Sequence, residues 1–385
     1  MFRMIKRSVS MPEISFIVPM YNSRTLISHC VASLFRQEVD DFEILLIDDC
    51  SPDDTYEYAK ELFKDDSRVR VIRQESNQGP GGARNRGIEE ANGDYICFAD
   101  ADDIYADGAV RRMLDVALAY NADVYYANEM YFTVAENLPD DLAELSKDQL
   151  VRFGYVTEEE SKEEGKISLA GDMQERVEDW LKHRYHWSSC GKLFRRSFLL
   201  EQGIRYPSIR IGEDQAFILN TLIHASVYVT QNSCPYICRF GNVSSISRGR
   251  KSVRVFVNGL SSLFGAIEWM DGIFDGLEYF EQHPEVRRAL IDYHVFITET
   301  EYTIAKYQEI GRDILSASED VHRVFKDYFG SKGAFVEKTM FDAYDGKDVA
   351  IKEEIKSDGT ETCHTLKKVK DYVGDGVFCL LGRVR

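Results

Sequence analysis

The chain has 385 residues, which allows two domains and a sizeable core. Hydrophobic residues make up 44% and charged residues 29%, an ordinary globular balance, and the net charge of -18 argues against a general nucleic-acid binder. No apolar run is long enough to span a bilayer, and residues 1–11 lack the apolar core of a secretory signal and read as a disordered lead-in.

Ile14-Ser15-Phe16-Ile17-Val18 is a β-branched run, read as a buried strand that ends at Pro19-Met20-Tyr21-Asn22. Leu26, Ile27, Val31, Leu34 and Phe35 then recur at helical spacing. Glu43–Ile47 reads as a second strand ending at Asp48-Asp49, with Ser51 or Asp53 placed to cap the next helix. Val69–Ile72 is a third strand. Asn77–Gly87 is a glycine-rich turn entering a helix that runs through Ala91. Tyr95–Ala99 is a strand that runs straight into Asp100-Ala101-Asp102-Asp103. A helix over 106–120 and a strand at Asp123–Tyr126 follow. Strand and helix alternate, which predicts a parallel sheet with helices on both faces and a ligand site outside the carboxyl ends of its strands. Tyr21, Asp48, Asp49 and Asp100–Asp103 each follow the last apolar residue of a strand and so line that rim.

Residues 136–171 lose the pattern and carry many acids, and read as a solvated insertion or helix. A helix from Met173 to about Arg184 precedes the segment His186–Phe194. Ile211-Gly212-Glu213-Asp214 opens another helix with two acids in its first turn, and Val227–Val229 and Tyr236–Arg239 read as strands. Beyond 250, the patterns over Val253–Ile273, Val286–Tyr307 and Ile314–Tyr328 predict a helical region, 251–385, suited to self-association or to acceptor and membrane docking. Eight cysteines without a paired CxxC framework read as reduced thiols of a cytoplasmic protein. The sets His183, His186, Cys190 and Cys234, Cys238 each lack a matching half, so zinc is not expected.

Acids clustered at a strand end repel one another and resist desolvation, and a hard divalent cation relieves both costs. Taken alone, the cluster reads more readily as a solvated turn capping the next helix. The surrounding residues weigh against that. Val18-Pro19-Met20-Tyr21-Asn22, Ile47-Asp48-Asp49-Cys50-Ser51, Asn77–Gly87, Asp100-Ala101-Asp102-Asp103 and Gly212-Glu213-Asp214 together make the first half, about residues 12–250, resemble a family 2 glycosyltransferase with the GT-A fold.

The resemblance implies an α/β fold with a mainly parallel central sheet flanked by helices. It also implies a metal-dependent transfer of a sugar, with inversion, from a nucleotide-sugar to a hydroxyl acceptor. By that resemblance Tyr21 stacks on the base, Asp49 accepts from it, and Pro19 shapes the turn between them. Arg84 faces phosphate or ribose, Asp100 ribose or sugar, and Lys192 the phosphates. Asp102 with Asp103 holds Mn²⁺ or Mg²⁺, and Asp214, with Glu213 beside it, is the general base. Trp187 stacks on an acceptor sugar, and Arg239 and Arg248 close over the diphosphate. A UDP-sugar donor, a saccharide or lipid-linked acceptor, surface polysaccharide synthesis at the inner face of the membrane and a homo-oligomer complete the expectation. Two other readings stand beside it. A sugar-phosphate nucleotidylyltransferase needs a glycine-rich basic loop after the first strand, where Pro19-Met20-Tyr21-Asn22 lies instead. A non-catalytic nucleotide-sugar-binding subunit would not need the acids that are all present here.

Overall fold

The structure, a computed structural model, describes residues 12–134, 137–154, 163–182, 184–209, 212–239 and 253–298, short helical pieces within 322–327, and the strands at 349–354 and 361–366. Residues 1–11 and Arg248 lie outside them.

The first strand, β1 (Ile14–Met20), is buried along almost its whole length. Helix α1 (Ile27–Phe35) buries Ile27, Cys30, Val31 and Leu34 on one face. Strand β2 (Phe42–Asp48), helix α2 (Thr55–Leu62), strand β3 (Val69–Arg73), helix α3 (Gly79–Glu90) and strand β4 (Tyr95–Phe98) follow. Asp54 occupies the N-cap position of α2 without a side-chain cap bond, and of the two expected residues only Asp53 takes a helical N–H. Asp53 accepts from the Thr55 N–H, while the Ser51 hydroxyl turns back to accept from the N–H of Asn22. The predicted glycine turn is itself the start of α3. Gly79 takes the left-handed φ of 79° and Pro80 sits at the helix start, where its missing N–H costs nothing.

Beyond β4 come β5 (Ile104–Tyr105), α4 (Ala109–Ala119), β6 (Val124–Ala127), β7 (Glu129–Thr133), β8 (Leu150–Gly154) and β9 (Ile167–Leu169). Then follow α5 (Met173–Leu181), β10 (Lys192–Arg195), α6 (Arg196–Glu201), α7 (Glu213–His224), β11 (Tyr228–Gln231) and β12 (Tyr236–Cys238). The main sheet has the order β3-β2-β1-β4-β10-β6-β11-β9. Strands β1 to β4 are mutually parallel, as are β6 and β11. Strand β10 runs antiparallel between β4 and β6, so the sheet is mixed and not wholly parallel. A second sheet, β5-β12-β7-β8, stands beside it.

The 136–171 stretch is therefore more than a solvated insertion. It contributes β8, paired with β7 and tied to it by Arg152 and Glu129, and β9, the edge of the main sheet. Its residues 155–162 lie outside the described ones. Strand β9 was illegible because all three of its residues are exposed and show no alternation.

The chain divides into two compact units, residues 1–208 with 213–242, and residues 209–212 with 243–385. In the second unit, α8 (Val253–Phe274) presents Ala266, Met270 and Phe274 at four-residue spacing, all buried, and packs against a later helix. After α9 (Glu278–Gln282), that helix is α10 (Pro284–Thr298), which buries Leu290 and Ile291. An antiparallel pair, β13 (Val349–Glu354) and β14 (Glu361–Leu366), adds strands to a region read as mostly helical, its second strand within the stretch 352–385 that the sequence leaves ambiguous. Most of the helix expected over 314–328 lies outside the described residues. No described helix is long and apolar enough to cross a membrane.

Helix α3 lies close over β1. A Cβ at Gly87 would stand 2.2 Å from Cγ2 of Ile17, a core side chain with no exposure. Gly87→Ala is therefore expected to destabilise the fold by about 1–3 kcal/mol through overpacking, read as a lowered midpoint in urea unfolding.

Candidate active site

The rim at the carboxyl ends of β1, β2 and β4 gathers the predicted residues. Pro19 lies on β1 opposite Ile47, one residue before the strand ends. Tyr21 follows the strand and is 47% exposed, its ring available to a flat partner. Asn22 takes a positive φ of 52°, which turns the chain sharply at this point.

Asp48 and Asp49 divide the work at the end of β2. Asp48 has no exposure, accepts from the Ser51 N–H and pairs with Arg73, so it shapes the turn. Asp49 is also buried. Its Oδ1 accepts from the Gln78 N–H and the Gln74 amide, each at 2.7 Å, and its Oδ2 accepts from the Gly79 N–H at 2.8 Å. The carboxylate thus sits on the N-terminus of α3, where orphan N–H groups and the helix dipole favour negative charge. The structure places Asp49 as the support of the glycine turn.

Arg84 does not reach outward toward a phosphate. Its side chain is only 4% exposed and is held between two carboxylates. Nη1 donates to Oδ1 of Asp214 at 3.0 Å and Nη2 to Oδ1 of Asp100 at 2.8 Å, with Oε1 of Glu213 3.9 Å away. Its guanidinium also lies against the Tyr206 ring, which stacks face to face on Phe217 at 4.0 Å. The expectation of an arginine facing phosphate or ribose thus meets one whose guanidinium is paired with Asp100 and Asp214. Asp214 and Asp100 hold the guanidinium charged against the cost of burial.

Glu213 and Asp214 occupy the first turn of α7, as predicted. Burial and the neighbouring Asp214 push the Glu213 carboxyl up to about 8, so it is neutral near pH 7. Asp214 is raised by burial in the same way but is opposed by Arg84 and by the Ser189 hydroxyl, which donates to Oδ1 at 3.2 Å. Both of these bonds fall on Oδ1. Among the described residues, Oδ2 of Asp214 has no hydrogen-bond partner.

The acidic turn after β4 is pinned from the second sheet. The Asp100 N–H donates to the Tyr236 hydroxyl at 2.9 Å. Oδ1 of Asp103 accepts the Arg239 N–H at 2.6 Å, and the Arg239 guanidinium donates to the carbonyls of Asp102, Pro139 and Asp140. Arg239 is thus committed to backbone carbonyls, which corrects its expected place over a diphosphate. Arg248 lies outside the described residues. Lys192 is fully buried on β10. Its ammonium donates to the Cys190 carbonyl and lies 4.3 Å from the Tyr126 ring centroid, and burial lowers it to about 7. Trp187, half-buried, stacks on His186 at 5.4 Å. The expected zinc-free reading concerns buried or half-buried thiols and a buried His186 whose Nδ1 accepts from the Ser188 N–H. His183 lies outside the described residues.

EpsH of Bacillus subtilis, a protein that carries a glycosyltransferase name, is 30% identical over 256 residues, 65% of this chain and 67% of EpsH. Residues 15–164 match the glycosyl transferase family 2 model. The chain belongs to glycosyltransferase family 2. It is also similar to the succinoglycan biosynthesis protein ExoO of Rhizobium meliloti, 31% identical over 62% of this chain and 64% of ExoO. The chain thus spans about two thirds of the length of these curated relatives. The crystal structure of S. aureus TarS 1-349 in complex with UDP-GlcNAc superposes with a TM-score of 0.59 at 15% identity, over 93% of this chain and 99% of that one. At that identity the likeness is one of fold, and the fold is GT-A.

Divalent metal use is common in that fold, and the donor set here fits it in one respect. Asp103 is buried with Asp102 and Asp100 close by, and its carboxyl is raised well above the usual range by burial and by those two charges. A divalent cation relieves that crowding. Among the described residues no three His, Cys, Asp or Glu side chains converge as a ready cage.

Residues that sequence reasoning missed are those whose partners are distant in the chain. Ser189 meets Asp214, Tyr236 meets Asp100, and Asn85 exchanges two hydrogen bonds with the Tyr206 backbone. No local signal marks them.

Glu213 gives a pH signature. Its carboxyl is raised in the folded state, so its contribution to stability is complete below the unfolded value near 4.5 and is lost as pH rises through about 8. Glu213→Gln is expected to lose less melting temperature than the wild type across that window. Parallel curves for the two proteins would contradict the assignment.

Proposed function

We propose that this protein transfers a sugar, with inversion, from a nucleotide-sugar to a hydroxyl of a saccharide or lipid-linked acceptor. Family membership supports the reaction class. ExoO is named for succinoglycan biosynthesis, which supports a place in surface polysaccharide assembly. The fold neighbour TarS was solved with UDP-GlcNAc, and a UDP-sugar is the donor we take.

The observation that carries the reading is the linkage of Asp214 through Arg84 to Asp100. The exposed Tyr21 ring and the Asp49-supported turn receive the nucleoside. Asp100 is 39% exposed, with its second oxygen turned from Arg84, and meets the ribose or the sugar. Lys192, buried beside Asp214 with its ammonium lowered to about 7, contributes part of a positive charge to the site of the nucleotide-sugar. A divalent ion, Mn²⁺ or Mg²⁺, held by Asp102 and Asp103 would neutralise charge on the departing nucleoside diphosphate. Asp214 takes the acceptor's proton at Oδ2 as the hydroxyl oxygen bonds to the anomeric carbon and the bond to the diphosphate breaks. Neutral Glu213 beside it adds no competing negative charge, and Trp187 offers a ring to the acceptor. Docking of the acceptor at a membrane surface and self-association belong, in this reading, to the second unit.

Two measurements test this. Asp214→Asn is expected to lower transfer by about 10²–10⁴-fold while calorimetry finds near-unchanged affinity for UDP. Retained transfer in this variant, with loss in Glu213→Gln, would move the base by one residue. Asp102→Asn is expected to abolish the extra melting-temperature rise that Mn²⁺ gives in the presence of UDP. An unchanged rise would remove Asp102 from the metal site.

A further inference from the structure

Ser189 lies in a segment whose backbone is fixed on both sides. The His186 ring accepts from the Ser188 N–H at 3.0 Å, and the Ser188 hydroxyl accepts from the Cys190 N–H at 3.2 Å. Cys190 is bridged to Phe98, the last residue of β4. Gly191 takes a φ of 72° and its N–H donates to the Tyr105 hydroxyl at 2.9 Å, while that hydroxyl donates to the Phe98 carbonyl. Ser189 is thus held by its neighbours and has no exposure.

The serine's hydroxyl has one proton, and it goes to Oδ1 of Asp214. Arg84 approaches the same oxygen from α3. Two donors from different elements on one oxygen fix both torsions of a short side chain and turn its other oxygen out. The charged and titratable groups that face this carboxylate are Arg84 on α3, Asp100 after β4, Cys190 before β10, Lys192 on β10, Tyr206 before α7 and Glu213 on α7. Of the neutral groups around it, Ser189 is the one whose hydroxyl donates a hydrogen bond to this carboxylate among the described residues.

We propose that Ser189 is a positioning residue for Asp214, which together with Arg84 occupies Oδ1 and leaves Oδ2 as the atom that accepts the acceptor's proton. The proposal rests on the reading of Asp214 as the base. A hydrogen bond to the charged form favours it, so loss of the serine hydroxyl both frees the rotamer and makes the carboxylate harder to ionise. These effects fall on kcat and on the acid limb of its pH profile, and leave the nucleotide subsite untouched.

The experiment measures UDP release from a panel of UDP-sugars by the wild type, Ser189→Ala, Ser189→Cys and Asp214→Asn. Cysteine is close to serine in size and donates poorly, so it keeps the packing if alanine does not. The expected result is a loss of about tenfold in kcat for both serine variants, donor KM unchanged, and the acid limb moved up by about one pH unit. A folded Ser189→Ala or Ser189→Cys with wild-type kcat and an unmoved acid limb, beside a collapsed Asp214→Asn, would overturn the positioning role and leave the base in place. Full turnover in Asp214→Asn would remove the base reading, and this proposal with it.

Discussion

The guanidinium of Arg84 is the constraint around which this site is built. A buried cation is tolerable only when paired and hydrogen-bonded. Here the pairing comes from two places far apart in the chain, Asp100 at the end of β4 and Asp214 in the first turn of α7. Removing one partner of a buried pair costs about 3–5 kcal/mol in general. Asp100 is 39% exposed and Asp214 24%, so solvent screens the first more than the second. The stronger half of the linkage is therefore the one that fixes α7. The neighbouring contacts agree with this. A Cβ at Gly81 would stand 3.1 Å from Tyr206 and 3.3 Å from Glu213, and Asn85 clamps the Tyr206 backbone by two hydrogen bonds. Helix α3 approaches the start of α7 so closely that only glycine fits comfortably at the contact.

The carboxylates of the rim separate into two kinds once their partners are known. Asp48, Asp49 and Asp103 are buried and accept from backbone N–H groups. Asp48 and Asp49 hold turns in shape, while Asp103 is anchored through Oδ1 within the acidic turn proposed for the metal. Asp100 and Asp214 are partly exposed and keep one oxygen clear of Arg84, and Asp102 is half-buried beside them. The division gives the second sheet a purpose that its small size conceals. Its strands β5 and β12 bring in Tyr105 and Tyr236, whose rings meet edge to face at 4.8 Å. One hydroxyl holds Gly191 and the other holds Asp100. The segment before β10 and the acidic turn after β4 are thus fixed from the same side.

What could be read in advance follows from how each element buries its residues. Strands β1, β2, β4 and β6 are nearly continuous apolar or β-branched runs, because both faces of a central sheet are covered, and such runs are legible. Strand β10 begins with Lys192 and ends with Arg195, so nothing marks it as central, yet Lys192 has no exposure at all. Strand β5 has two residues, and β9 lies at an exposed edge. The acids of the site were legible because each follows a strand or opens a helix. Their roles were less so. Arg84 reads as a ligand for phosphate or ribose because it follows glycines, and only the tertiary fold shows its pairing with two carboxylates. Arg239 was misjudged for the same reason, since three of its acceptors are backbone carbonyls without any side-chain signature.

Glu213 and Asp214 are adjacent acids on one helical turn, and two like charges there would repel. Their environments set them apart. The Glu213 side chain is 12% exposed and its nearest approach to Arg84 is 3.9 Å, too long for a hydrogen bond. Asp214 is twice as exposed and receives both Arg84 and Ser189. The proton therefore belongs on Glu213 and the charge on Asp214. Pairs of carboxyl groups separated in this way mark acid and base assignments in other sites. Here the separation is produced by one shared cation that stands about an ångström nearer to one carboxylate than to the other. The same cation also pairs with Asp100, so the two carboxylates share one guanidinium across several elements of the chain. In the proposed reading, a ligand engaging Asp100 would draw on the same guanidinium that pairs with Asp214.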